Sequence, residues 1–174
     1  DQEVEPEISD QIVEETTEET AEETEFEKSE ELELVTEKGD AEEEVAIPYL
    51  TFKAEAEQSL TMSKAVATLE YSVDNGKWNT LGTTTVTFGG DNGDLRLRGK
   101  SSRGTAYNYT SYATIKFGMD VDVACIGDIR TLVDYENYEN TNTSNAKFCY
   151  LFNDCTSLTK APELPATTLA EECY

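Results

Sequence analysis

From Val45 onward, apolar and polar residues alternate in short runs. The segments YLTFKAEA, SLTMSKAV, TLEYSV, NTLGTTTVTF, DLRLRG and YATIKFGMDV are rich in Thr, Val, Leu and aromatic residues, often at every second position. A period of two marks a strand with one face in the core and the other in water. Gly, Asn and Asp separate the runs at intervals that suit an all-β sandwich or barrel. The clearest hairpin is LEYSVDNGKWNTL, where Asp74-Asn75-Gly76 supplies residues that tolerate the left-handed backbone of a tight turn, with Tyr71 and Trp78 on the flanking arms. A second turn, Gly89 to Asp94, separates TTVTF from DLRLR. These elements predict a mainly β chain with an Ig-like β-sandwich over residues 47–135.

Beyond that point the period changes. Phe148, Leu151, Phe152, Cys155 and Leu158 fall at helical spacing, so FCYLFNDCTSL is expected to form a short helix or helical turn with one apolar side. Pro162 and Pro165 forbid helix in the next stretch and suit an extended passage. Thr168 and Glu171 have the spacing of a capping box that starts another helical turn at Leu169. The pair Cys149-Tyr150 returns as Cys173-Tyr174, and Thr143, Ser144 and Ala146 align with Thr167, Thr168 and Ala170 at the same offset of 24. That length lies in the range of leucine-rich repeats, whose units are stable only when stacked. Residues 136–174 therefore read as the first, truncated part of a leucine-rich-repeat solenoid. With Asp1 in place of an initiating Met, the sequence is expected to be a piece of a longer protein.

Charge separates a third region. Of the net −24, residues 1–44 carry 18 Glu and 3 Asp against 2 Lys, a net of −19. So few apolar side chains cannot offset the entropy of ordering, and residues 1–46 are expected to be a disordered acidic tail or stalk. The remaining 130 residues carry a net of −5, ordinary for a folded domain. Nucleic acid is not expected as a partner, because phosphate binding needs clustered Lys and Arg. The one short basic run, Arg96, Arg98, Lys100 and Arg103, reads instead as the solvated face of a strand. No apolar run is long enough to span a bilayer, so membrane association is expected only through an anchor outside this sequence.

The chain has no histidine, which removes the commonest general base and zinc ligand and with them Ser-His-Asp and Cys-His arrangements. Binding rather than catalysis is expected, with no cofactor and no metal. Asp91, Asn92 and Asp94 are clustered oxygen donors but lack the spacing and terminal Glu of a calcium loop, and turn chemistry explains them. The four cysteines, Cys125, Cys149, Cys155 and Cys173, are expected to be free, buried thiols, with Cys149 and Cys173 stacked one coil apart; their even count leaves disulfide pairing as the alternative. Four side chains are candidates for ligand contact. Trp78 could stack on a sugar ring or simply pack on the sandwich face. Tyr107, Tyr109 and Tyr112 alternate in GTAYNYTSYATI and are expected to share one face or one loop.

Residues 148–174 resemble the repeats of BspA-like leucine-rich-repeat surface proteins of Bacteroides-type gut bacteria, through the pattern FxxCTSLxxAPELPATTLAxxCY. The preceding stretch is similar to the β-sandwich found before such repeats. Tyr71, Ser72, Asp74, Gly76 and Trp78 match its Tyr-Ser-x-Asp-x-Gly-x-x-Trp strand, with one residue fewer between Gly76 and Trp78. The resemblance covers about residues 48–174. It implies an exported, cell-surface protein, anchored as a lipoprotein or otherwise, that binds a protein or glycan on host or neighbouring cells. The alternative is a glycan-binding accessory module of a surface polysaccharide-utilisation system, with Trp78 or the tyrosines as stacking surfaces. The resemblance carries over no catalytic or binding residue.

Overall fold

Strands form where the sequence alternates. A computed structural model describes residues 46–143 and 147–165, all of them in one unit running from Ala46 to Tyr174. In chain order the strands are β1 (Leu50–Lys53), β2 (Gln58–Met62), β3 (Glu70–Val73), β4 (Asn79–Thr80), β5 (Val86–Phe88) and β6 (Leu95–Arg98). They continue as β7 (Ala106–Asn108), β8 (Ser111–Tyr112), β9 (Ile115–Phe117), β10 (Val123–Ile126) and β11 (Leu158–Lys160). Helix is confined, among the described residues, to three short 3-10 turns: Gly90–Asn92, Ile129–Leu132 and Tyr138–Asn140. The chain is mainly β, as its alternation requires.

The strands make two open sheets and a separate ribbon. One sheet has six strands in the order β11-β10-β1-β6-β3-β4; the other has three, β5-β2-β9; β7 and β8 pair alone. Register sets which side chains meet. Leu50 lies opposite Leu97 and Phe52 opposite Leu95, so both apolar pairs face the core while Thr51 and Arg96 face outward. Phe52 from the larger sheet meets Phe88 and Phe117 from the smaller at ring separations of 6.5 and 6.0 Å. Each buried aromatic side chain of this kind stabilises by roughly 1.5–3 kcal/mol. The trio, with Leu60, Met62 and Ile115, joins the two sheets around a single core.

The β3–β4 hairpin forms as its sequence indicates. Asp74 and Asn75 have φ of 48° and 56°, and the Gly76 N–H donates to the Val73 carbonyl at 2.9 Å. Two left-handed central residues make this a type I′ turn, whose twist matches that of the strands. Gly76 has a different role from the one its position suggests. A Cβ there would lie 2.9 Å from the Val73 carbonyl oxygen, so it is glycine for close approach. Buried Gln58 pins the return of β9: its amide nitrogen donates to the carbonyls of Met119 and Val121, and its oxygen accepts from Met119 N–H.

The segment 148–158 departs from expectation. It is a chain of turns, not a helix: the N–H groups of Leu151, Asn153, Cys155 and Leu158 donate to carbonyls three residues earlier. Tyr150 and Asp154 take φ of 54° and 59°, which no right-handed helix accommodates. Its apolar side survives the change, since Phe148 and Leu151 are buried in the common core with Phe152, Cys155 and Leu158 packed against it. The segment read as a separate repeat thus adds both core side chains and a strand to the preceding domain. That strand, β11, runs parallel to β10. The acidic stalk, the Thr168–Glu171 cap and the Cys149–Cys173 stack rest on residues 1–45 and 166–174, outside the described residues.

Candidate functional site

The four aromatic candidates fall in two places. Trp78 precedes β4 on the outer face of the six-stranded sheet, edge-on to Tyr49 at 4.9 Å. The Arg98 guanidinium lies over its ring at 4.2 Å and that of Arg96 at 5.3 Å. Arg98 also covers Tyr135 at 4.3 Å and donates from Nε to Glu70 at 2.8 Å. Trp78 thus packs against Tyr49 and the two guanidinium groups while remaining partly exposed. Of the basic run, Arg96 and Arg98 hold this face, and Lys100 bridges Asp134 and Glu136 at 2.8 and 2.6 Å. Arg103 belongs elsewhere.

Tyr107, Tyr109 and Tyr112 sit on the β7–β8 ribbon. Its base is fixed by one acceptor: the Lys147 carbonyl receives the N–H groups of Thr105 at 2.8 Å and Ala106 at 3.1 Å. Gly104 makes that approach possible, with φ of 63° and a hypothetical Cβ only 2.4 Å from the same carbonyl oxygen. Ala106 then pairs with Tyr112 and Asn108 with Ser111, so the register slips by one and Tyr107 occupies a bulge. A bulge re-aims the extra residue, and Tyr107 is 62% exposed. Tyr109 stands at the ribbon tip, 59% exposed, where the Asn108 carboxamide oxygen accepts from both the N–H and hydroxyl of Thr110.

The three tyrosines do not form one row. Tyr112, opposite the buried Ala106, packs against it and Cys149 and meets the Tyr150 ring at 4.7 Å. Tyr107 and Tyr112 both line a cleft of about 230 Å³ between the ribbon, the 64–67 loop and the Ser101–Thr105 turn. Two cations also line it, Lys64 and Arg103, together with Ser101 and Ser111. The Arg103 guanidinium rests on one face of Tyr107, 3.9 Å from the ring centre. Trp78 and Tyr109 lie outside this lining.

Sequence reasoning missed Lys64, Ser101, Arg103 and Ser111 as companions of the tyrosines. Ser101, Arg103 and Ser111 are close to the tyrosines along the chain, a signal that was available; Lys64 is distant and reaches them only through the fold. A second, wider concavity of about 1020 Å³ is lined by Glu55, Asp120, Asp122 and Lys53. It has no aromatic side chain, and its lysine is already paired with Asp94 at 2.7 Å. That pairing, with the Gly89 N–H donating to the Gly93 carbonyl at 2.7 Å, gives Asp91–Asp94 the structure of a turn.

The thiols of Cys125 and Cys155 are free, and burial raises the pKa of both. Cys155 donates to the Ile115 carbonyl at 3.3 Å, so it ties the 148–158 turns to β9. Compared with protein-family models, curated proteins and solved structures, the chain finds no match.

Proposed function

We propose that this chain is the binding portion of an exported cell-surface protein that recognises a macromolecule on host or neighbouring cells, without catalysis. One observation carries the reading: a ribbon hydrogen-bonded at its base to the Lys147 carbonyl presents Tyr107 and Tyr109 to solvent beside a polar cleft. Large aromatic side chains on anchored backbone give contact area at small entropic cost, which is what recognition surfaces use. Two sheets around one core support the Ig-like sandwich. The parallel β10–β11 pair at a sheet edge supports a solenoid start, because stacked repeats add parallel strands in that way. A BspA-like architecture with an acidic stalk and a lipid or other anchor is consistent with both.

The glycan-binding accessory reading is favoured by the lining itself, where tyrosine rings and serine hydroxyls share one concavity. Sugars are held by that combination of apolar ring face and polar fringe. The test is a printed array carrying host and bacterial glycans beside extracellular matrix proteins, probed with the full chain. Binding to at least one class, lost in Tyr107→Ala and weakened in Tyr109→Ala, is expected. Retention by neither class, or binding indifferent to both substitutions, would sink the proposal.

A further inference from the structure

The cleft has a charge that its tyrosines do not explain. Lys64 and Arg103 line it, and no Asp or Glu does. Neither cation makes an ion pair or hydrogen bond among the described residues, whereas Lys53, Arg98, Lys100 and Arg130 are each paired with a carboxylate. Lys77, Lys116 and Lys160 also lack a carboxylate partner among the described residues; what sets the cleft apart, in a chain with 37 acidic against 13 basic side chains, is that two such cations share one lining without an acidic side chain.

Arg103 is also preset in orientation. Its guanidinium carbon lies over the Tyr107 ring, 3.9 Å from the centre, and the turn that carries it is closed by Gly104 N–H to the Ser101 carbonyl and Ser101 hydroxyl to the Gly104 carbonyl. Stacking uses the face of the guanidinium and leaves its in-plane N–H fork available for a carboxylate or sulfate. Tyr107 itself is 62% exposed, so its ring keeps surface for a ligand. Ring face, serine hydroxyls and cationic donors are thus gathered within one small concavity.

We infer that this cleft takes an acidic saccharide, with a sugar ring on Tyr107 and its carboxylate or sulfate on Arg103 and Lys64. The inference rests on the glycan reading above and narrows it. A polynucleotide would need a longer basic track than two side chains provide. A Glu-rich peptide offers the anion without the ring, and so leaves Tyr107 unused.

The test is calorimetry on the full chain with four probes: a galacturonate trimer, a heparin-derived tetrasaccharide, maltotriose and a Glu-rich decapeptide. One or both acidic sugars are expected to bind, and which of them binds distinguishes carboxylate from sulfate as the anion. Lys64→Gln and Arg103→Gln should each weaken that binding about tenfold, the scale of one charged hydrogen bond. Arg103→Lys keeps the charge but loses the planar N–H fork and should recover only part. Both side chains are exposed or unpaired, so unchanged circular dichroism is expected and separates loss of contact from loss of fold. Maltotriose binding as tightly as the acidic sugars, or indifference to both Gln variants, would overturn the inference while leaving the glycan reading intact. Preference for the peptide would also overturn it. Failure of all three sugars would remove both.

Discussion

Replacing Gly104 by Ala tests whether the ribbon is held as described. The residue has φ of 63°, and an added Cβ would sit 2.4 Å from the Lys147 carbonyl oxygen and 2.9 Å from the Lys147 Cβ. Two costs follow. An L-residue in the left-handed region loses about 1–2 kcal/mol. The carbonyl must also retreat, weakening its bonds from Thr105 and Ala106 N–H, each worth about 0.5–1.5 kcal/mol. The total is about 2–5 kcal/mol. Gly82 is the natural control, with φ of 54° and nothing within 4 Å of its would-be Cβ. Gly82→Ala should therefore cost only the conformational part, about 1–2 kcal/mol. Urea unfolding followed by Trp78 fluorescence gives both values from midpoints at constant slope. Equal destabilisation by the two substitutions would refute the steric argument, and with it the claim that the Lys147 carbonyl fixes the ribbon.

Three further outcomes are expected. Trp78→Ala should lower stability by about 2–3 kcal/mol, from one edge-on aromatic pair and two cation–π contacts, and leave saccharide or array binding unchanged; loss of binding with the fold intact would return Trp78 to the site. Cys125, wholly buried and with its thiol pKa raised by burial and then by nearby Cys155, should be alkylated only when the protein opens. Site-resolved mass spectrometry showing Cys125 labelled at the rate of an unfolded thiol would contradict that. Hydrogen bonding to Lys100 holds the Asp134 and Glu136 carboxyl pKa values below their ordinary range. Because the folded values are depressed, this contribution to stability is complete above the unfolded carboxylate pKa and is lost as pH falls through the folded values. Lys100→Met should return both to the ordinary range in a carbon-detected NMR titration, and unchanged titration would disprove the pairing.

Much of the β architecture was legible because its cause is local. Alternation located β1, β2, β3, β6 and β9, and Asp74-Asn75 placed the hairpin turn before any tertiary contact was considered. The 148–158 segment misled for a physical reason. Successive three-residue-back turns bring Phe148, Leu151, Cys155 and Leu158 to one side much as a helix does, so spacing alone cannot separate the two. What separates them is the left-handed backbone at Tyr150 and Asp154, and neither residue type announces it as glycine would. Trp78 shows the opposite limit: its partners come from β6 (Arg96 and Arg98) and the flank of β1 (Tyr49), and only the fold brings them to its ring. The cleft was half legible. Its tyrosines stand out in sequence, but Lys64 joins them through the fold, and the bulge that turns Tyr107 outward depends on register.

The most direct test of the central claim is an amide chemical-shift map of the labelled full chain, titrated with the galacturonate trimer and the heparin tetrasaccharide. Saturable shifts confined to residues 64–67, 101–107 and 111–113, where ribbon, loop and turn enclose the cleft, are expected. Shifts centred instead on Trp78 and Tyr49, or no saturable shift with either sugar, would contradict it.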